Sequence, residues 1–152
     1  GGETQVEKTN SPVRRKRVVV GRAGPQGPSG AWHHYGVTYA KGMIVIDVDG
    51  LAVGSDSGLI GSPYLTELKV GNYSLNSNNF AGLLDDLAIW GQALAGPDVQ
   101  SLYARTRRPA ELANLVADWT FSEGMGKTVA DESGNGHTLF LSNVGWAPSC
   151  AP

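Results

Sequence analysis

At 152 residues, with 41% hydrophobic and 17% charged side chains, the chain has the composition of one folded domain and not of a disordered tail. A formal net charge of −2 supplies no global field for nucleic acid or an anionic membrane, and no apolar run approaches the ~20 residues of a bilayer span. The single cysteine, Cys150, excludes an internal disulfide, while 21 glycines and 8 prolines punctuate short apolar runs, as in an all-β chain with many turns.

Residues 1–31 read as an N-terminal unit: a strand with a basic lead-in, VRRKRVVVG (13–21), then a turn-rich connector, GPQGPSG (24–30). The run Arg14 to Arg17 lacks the interleaved aromatics of a nucleic-acid site and reads as a solvated strand edge or a processing site. The chain opens Gly-Gly, as a processed or trimmed product would, so the lack of a signal peptide carries no weight.

From residue 32 a period of two takes over. Tyr35, Val37 and Tyr39 share one strand face; Ile44, Ile46 and Val48 share the next, with Asp47 and Asp49 opposite. Asp49-Gly50 supplies a tight turn. YLTELKVG (64–71) and FAGLLDDLAIW (80–90) continue the strands, the latter placing Asp85 on the face of Leu83, Leu87 and Ile89. The rhythm breaks at AGPDVQSLYARTRR (95–108). Pro97 suits a first helical turn, Asp98 complements the helix N-terminus, and Val99, Leu102 and Tyr103 fall at i, i+3, i+4, so one short helix is expected near 97–105. LVADWTF (115–121) then sets Leu115, Ala117, Trp119 and Phe121 on one face, followed by KTVAD and HTLFLSN. The expected fold is an all-β, antiparallel two-sheet sandwich with one short helix.

WHHYGVTYAKGMIVIDVDGLAVG (32–54), LKVGNY (68–73), FAGLLDDLAIWGQAL (80–94) and SLYARTRR (101–108) together resemble the laminin G-like, concanavalin A-like jelly-roll superfamily. Trp119, Phe121, Glu123, Gly126, Asp131 and SGNG (133–136) also resemble that family, but its opening strands. The resemblance implies a jelly roll whose body occupies 32–108 and whose first strands sit at 109–152, after its end. A tandem-repeat fragment, a circular permutation and strand exchange between copies all produce that order. In the last, Leu115, Ala117, Trp119, Phe121, Leu139 and Leu141 would fill a neighbouring copy's core and build a homo-oligomer or polymer.

The resemblance also raises calcium and sugars. Superfamily enzymes use closely spaced carboxylates, but Asp85-Asp86 are adjacent and Asp47/Asp49 lack a glutamate partner, so no catalytic residue is assigned. Asp131 and Asn135 with Asp85 or Asp86 offer the oxygen ligands Ca2+ takes in many members; the alternative is a metal-free Asx-type turn. For sugar, Trp90 and Trp146 are the candidate stacking platforms, with Asn72 and Asn76 as amide donors, while Trp32 and Trp119 read as core and His33 and His34 as structural strand residues. Two functions follow. The first is an extracellular or cell-surface structural or adhesive module assembling with copies of itself; the alternative is a calcium-dependent carbohydrate-binding module. Neither an enzyme nor a nucleic-acid binder is expected.

Overall fold

The computed structural model describes residues 18–23, 31–57, 68–74 and 77–148, with side chains described except at 18–23, 72–74 and 77–79. In chain order the strands are β1 (Val18–Ala23), β2 (His33–Ala40), β3 (Met43–Val48), β4 (Leu51–Asp56), β5 (Asn72–Ser74), β6 (Ser77–Asn79) and β7 (Leu84–Trp90). Helix α1 (Gly96–Tyr103) and a 3-10 turn (Pro109–Glu111) precede β8 (Leu115–Trp119), β9 (Thr128–Val129) and β10 (Leu139–Phe140). Six strands form one antiparallel sheet in the order β4-β3-β2-β1-β7-β8, while β5/β6 and β9/β10 pair separately. The antiparallel strands and, among the described residues, the single short α-helix are as expected. Arg14 to Arg17, Asn76 and Cys150 lie outside the described residues.

Two tight turns set the register of β2, β3 and β4. Lys41 and Gly42 have φ of 51° and 83°, and Asp49 and Gly50 have 53° and 78°. Positive φ at both central residues is the hairpin turn whose twist matches the strands it joins. The ladders accordingly close at Ala40↔Met43 and Val48↔Leu51.

Three one-residue irregularities interrupt alternation. An extra residue lies in β4 between the partners of Ile46 and Asp47, in β7 opposite Val20–Arg22, and in β8 opposite Ile89–Trp90. The β7 bulge contains Asp86, at φ 51°. A bulge shifts every following residue to the other face. Asp85 therefore stands on the row of Ala88, not with Leu87 and Ile89 as expected. Leu115 likewise leaves the face of Ala117 and Trp119 and packs beside Trp90.

Each face of the sheet has its own core. On one, Ala88 and Trp90 meet Val99 and Leu102 of α1 together with Leu94 and Leu112. On the other, Leu87, Ile89, Ala117 and Trp119 meet Val129 of β9, with Phe121, Leu139, Leu141 and Trp146 packed around them. This second layer lies over β7 and β8, and it corrects one expectation. Tyr35, Val37 and Ile46 are 42%, 37% and 42% exposed, while His34 and Asp47 on the opposite row are 4% and 5% exposed. The reason is α1, which closes against Gly36: a Cβ there would stand 3.3 Å from Val99 Cγ1 and from Asp47 Cβ. Burial raises the pKa of the Asp47 carboxyl.

The terminal segment is paired within its own chain. Trp119 lies opposite Leu87, Asp118 opposite Ala88 and Ala117 opposite Ile89, and the Trp119 indole N–H donates to His137 O at 2.7 Å. Strand exchange was expected to send Leu115, Ala117, Trp119, Phe121, Leu139 and Leu141 into a second copy. All six pack within this chain.

Candidate functional site

The corner after β8 holds two of the residues expected to bind calcium. Asp131 Oδ1 accepts from the backbone N–H of Asp118 and of Ser133, both at 2.9 Å, and Oδ2 from His137 N–H at 2.9 Å. Asn135 donates its amide to Leu115 O at 3.1 Å and Val116 O at 3.0 Å. Burial works to raise the Asp131 pKa, but the hydrogen bonds from Ser133, His137 and Asp118 override it and hold the carboxyl at about 2. Asp85 and Asp86 sit in the β7 bulge, where Asp85 Oδ1 accepts the Asp86 N–H at 3.1 Å. Among the described residues no three His, Cys, Asp or Glu side chains gather as a metal shell would need, and Asp131 has both oxygens committed to backbone N–H groups. The set Asp131, Asn135, Asp85 and Asp86 does not fit a calcium site; at Asp131 and Asn135 it is a backbone cap.

Asp118 shares this acidic neighbourhood. Burial first, then the charges of Asp86, Asp131 and Glu132, raises its pKa to about 6. A carboxyl with a folded pKa above its ordinary value of 3.8 binds its proton more tightly in the native state. Native stability therefore falls as pH rises from about 4 to 6. Asp118→Asn is expected to raise the urea midpoint at pH 7.5 and to leave it unchanged at pH 3.5; equal shifts at both would remove the charge explanation.

The sugar candidates fare differently. Trp90 is 0% exposed, so its ring is core and offers no platform. Trp146 packs on the β9 side of the sheet with its indole N–H bonded to Gly126 O at 2.8 Å. Asn72 lies in β5, where the backbone alone is described.

A different group of residues surrounds an opening of about 410 Å³ at the end of the sheet next to the C-terminus of α1. Trp32, His33 and His34 enter from the start of β2, Asp49 from the β3–β4 turn, and Tyr103, Ala104 and Arg105 from the helix end. Register brings the first two groups together. Asp49 N–H donates to His34 O at 2.8 Å, and His34 N–H donates to Asp49 Oδ1 at 2.9 Å. Asp49 Oδ2 lies 2.8 Å from His33 Nδ1. Burial opposes ionisation of Asp49, yet these bonds and the histidine charges lower its pKa. Tyr103 stacks obliquely on His34, with centroids 5.9 Å apart, and lies over Gly50, where a Cβ would stand 2.9 Å from Tyr103 Cδ1. Trp32, expected in the core, is half-buried and lines this opening. The sequence carried one signal for the pairing: counting back from the Lys41-Gly42 turn sets Asp49 opposite His34.

Comparison with known proteins now places the fold. A laminin G-type family model, described as the concanavalin A-like lectin/glucanases superfamily, matches residues 3–100. The chain belongs to this superfamily. The superfamily match begins at residue 3, inside the segment that the residue pattern set apart as 1–31, and β1 from that segment is central in the sheet. Among solved structures, the concanavalin A-like fold is shared with a protein from Bacteroides ovatus ATCC 8483, itself provisionally described as carbohydrate-binding. The two are 14% identical, with a TM-score of 0.58 over 88% of this chain and 55% of the other, so the likeness is one of fold and the chain spans about half that relative's length. A search of curated proteins gives no significant match. No helix among the described residues is long and apolar enough to cross a membrane.

Proposed function

We propose that the chain is a non-catalytic glycan-binding module whose sugar seat is the opening between the start of β2 and the end of α1. The observation that carries this reading is the lining itself. Trp32 and Tyr103 offer aromatic surface, and Arg105, His33 and Asp49 offer polar groups around a space of about 410 Å³. Concave sites of this size, walled by aromatics with a few fixed polar groups, are the usual seats of small ligands. Sugars suit them because a ring's C–H face stacks on an aromatic while its hydroxyls find donors and acceptors. The superfamily and the structural neighbour point to the same ligand class. A binding role is favoured over hydrolysis because Asp49 is the one carboxylate among the described lining residues, and glycosidases need two across the scissile bond. Display outside the cell, where glycans and adhesive partners are plentiful, fits this role.

A glycan array followed by calorimetric titration tests it. The wild-type chain is expected to bind at least one glycan, and Tyr103→Ala to weaken that binding at least tenfold while its melting curve stays cooperative. Full affinity in Tyr103→Ala, or no binding by the wild type, would overturn the assignment. Unchanged affinity in chelator is also expected, because Asp131 is committed to the backbone; chelator-sensitive binding would restore the calcium reading.

A further inference from the structure

Helix α1 ends in an arrangement that normally selects glycine. Thr106 N–H donates to Ser101 O at 3.0 Å and Arg105 N–H to Leu102 O at 3.2 Å, the paired bonds that close a helix through a left-handed residue. That residue is Arg105, at φ 55°. Glycine adopts this conformation without strain, whereas a side chain here is held against a steric cost. Such a cost is retained where the side chain has a task, and Arg105 has little structural employment. Its closest ion-pair approach is Nη2 to Asp86 Oδ2 at 3.8 Å, beyond hydrogen-bond distance, and its side chain is 51% exposed. Arg107, two residues on, shows what a structural arginine looks like: Nη1 donates to Asp98 Oδ1 at 2.8 Å and Nη2 to Glu111 O at 2.9 Å.

Resting on the sugar-seat reading above, we infer that Arg105 is the specificity residue of the opening, presenting its guanidinium to adjacent hydroxyl oxygens of a neutral sugar. The planar fork of donors matches two neighbouring acceptor oxygens. Two anionic groups are also fork-shaped acceptors, carboxylates and sulfates, and Asp86 decides against them. Its carboxylate lies within ion-pair range of the same guanidinium, so an anionic sugar would face a like charge where a neutral diol would not. Asp49, also in the lining, adds a second negative charge.

The test titrates methyl glycosides of glucose, galactose and mannose, and the methyl glycosides of glucuronic and galacturonic acid, into wild type, Arg105→Gly and Asp86→Asn. Wild type is expected to prefer a neutral glycoside over its uronate at least tenfold. Asp86→Asn, which suits a left-handed position, should narrow that ratio severalfold. Arg105→Gly should weaken neutral binding at least tenfold while raising the melting temperature, because relief of backbone strain accompanies loss of the contact. Neutral binding within twofold of wild type in Arg105→Gly, a lowered melting temperature in that variant, or a preference for uronates in wild type would each overturn the inference. Tyr103→Ala separates the two readings. If it abolishes binding while Arg105→Gly retains it, the seat stands and the role of Arg105 falls; if wild type binds none of the probes and no glycan on the array, both fall.

Discussion

Trp90→Ala is expected to cost about 3–5 kcal/mol of folding free energy, enough to consume a large part of the stability of an ordinary domain. The ring is completely enclosed, between Ala88 on the sheet and Leu94, Val99, Leu102 and Leu112 on the helix side. Removing it deletes a main contact between α1 and the sheet, and with it support for the opening lined by Tyr103 and Arg105. Equilibrium urea unfolding should show a much lower midpoint. Trp90→Phe should lose far less, for two reasons. Most of the apolar volume stays, and the indole N–H, which is buried without an acceptor among the described residues, disappears. A midpoint for Trp90→Ala within the error of wild type would mean that the helix is not held through this ring.

Asp131→Ala should destabilise the chain by about 2–3 kcal/mol at neutral pH, because three N–H groups lose a charged acceptor in a partly solvated corner. The pH dependence identifies the cause. The folded pKa of about 2 lies below the ordinary 3.8, so the contribution is fully present above about pH 4 and is lost as pH falls through 2. Wild-type stability should therefore drop across that interval more steeply than that of Asp131→Ala, and the two curves should converge in strong acid. Asp131→Asn should fall between them, since its oxygen can still accept from Asp118 and Ser133 while its amide opposes the His137 N–H. Parallel curves for wild type and Asp131→Ala between pH 4 and 2 would rule out the carboxylate cap as the stabilising element.

How legible this molecule is depends on the scale of the feature. The strands β2, β3, β7 and β8, the helix near 97–105 and the Asp49-Gly50 turn follow from periodicity and turn chemistry, because those signals are spread over several residues or fixed by backbone sterics; the strand expected at 64–71 is not one over its described residues 68–71, and β4, β5 and β6 were not expected. Bulges are not so marked. A single extra residue at Asp86 or Val116 leaves the apolar alternation looking continuous, yet it moves Asp85 and Leu115 to the other side of the sheet. Which face of β2 and β3 is buried was equally hidden: the apolar rows around Val37 and Ile46 point one way, but the close approach of α1 over Gly36 decides burial the other way. Of the residues lining the opening, His34 and Asp49 follow from hairpin register. Arg105 does not, since nothing in YARTRR announces a left-handed helix end without glycine.

The position of β1 has a consequence for how the sheet is held together. The β2–β3–β4 meander and the β7–α1–β8 unit are each built from neighbours in the chain. Within the sheet they are joined by a single six-residue strand, paired with β2 on one side and with β7, some seventy residues away, on the other, while α1 packs across the join against Gly36 and His34. Parting the two halves of the sheet therefore means breaking one strand's bonds along its whole length and lifting α1 off β2, which would leave two raw inner edges.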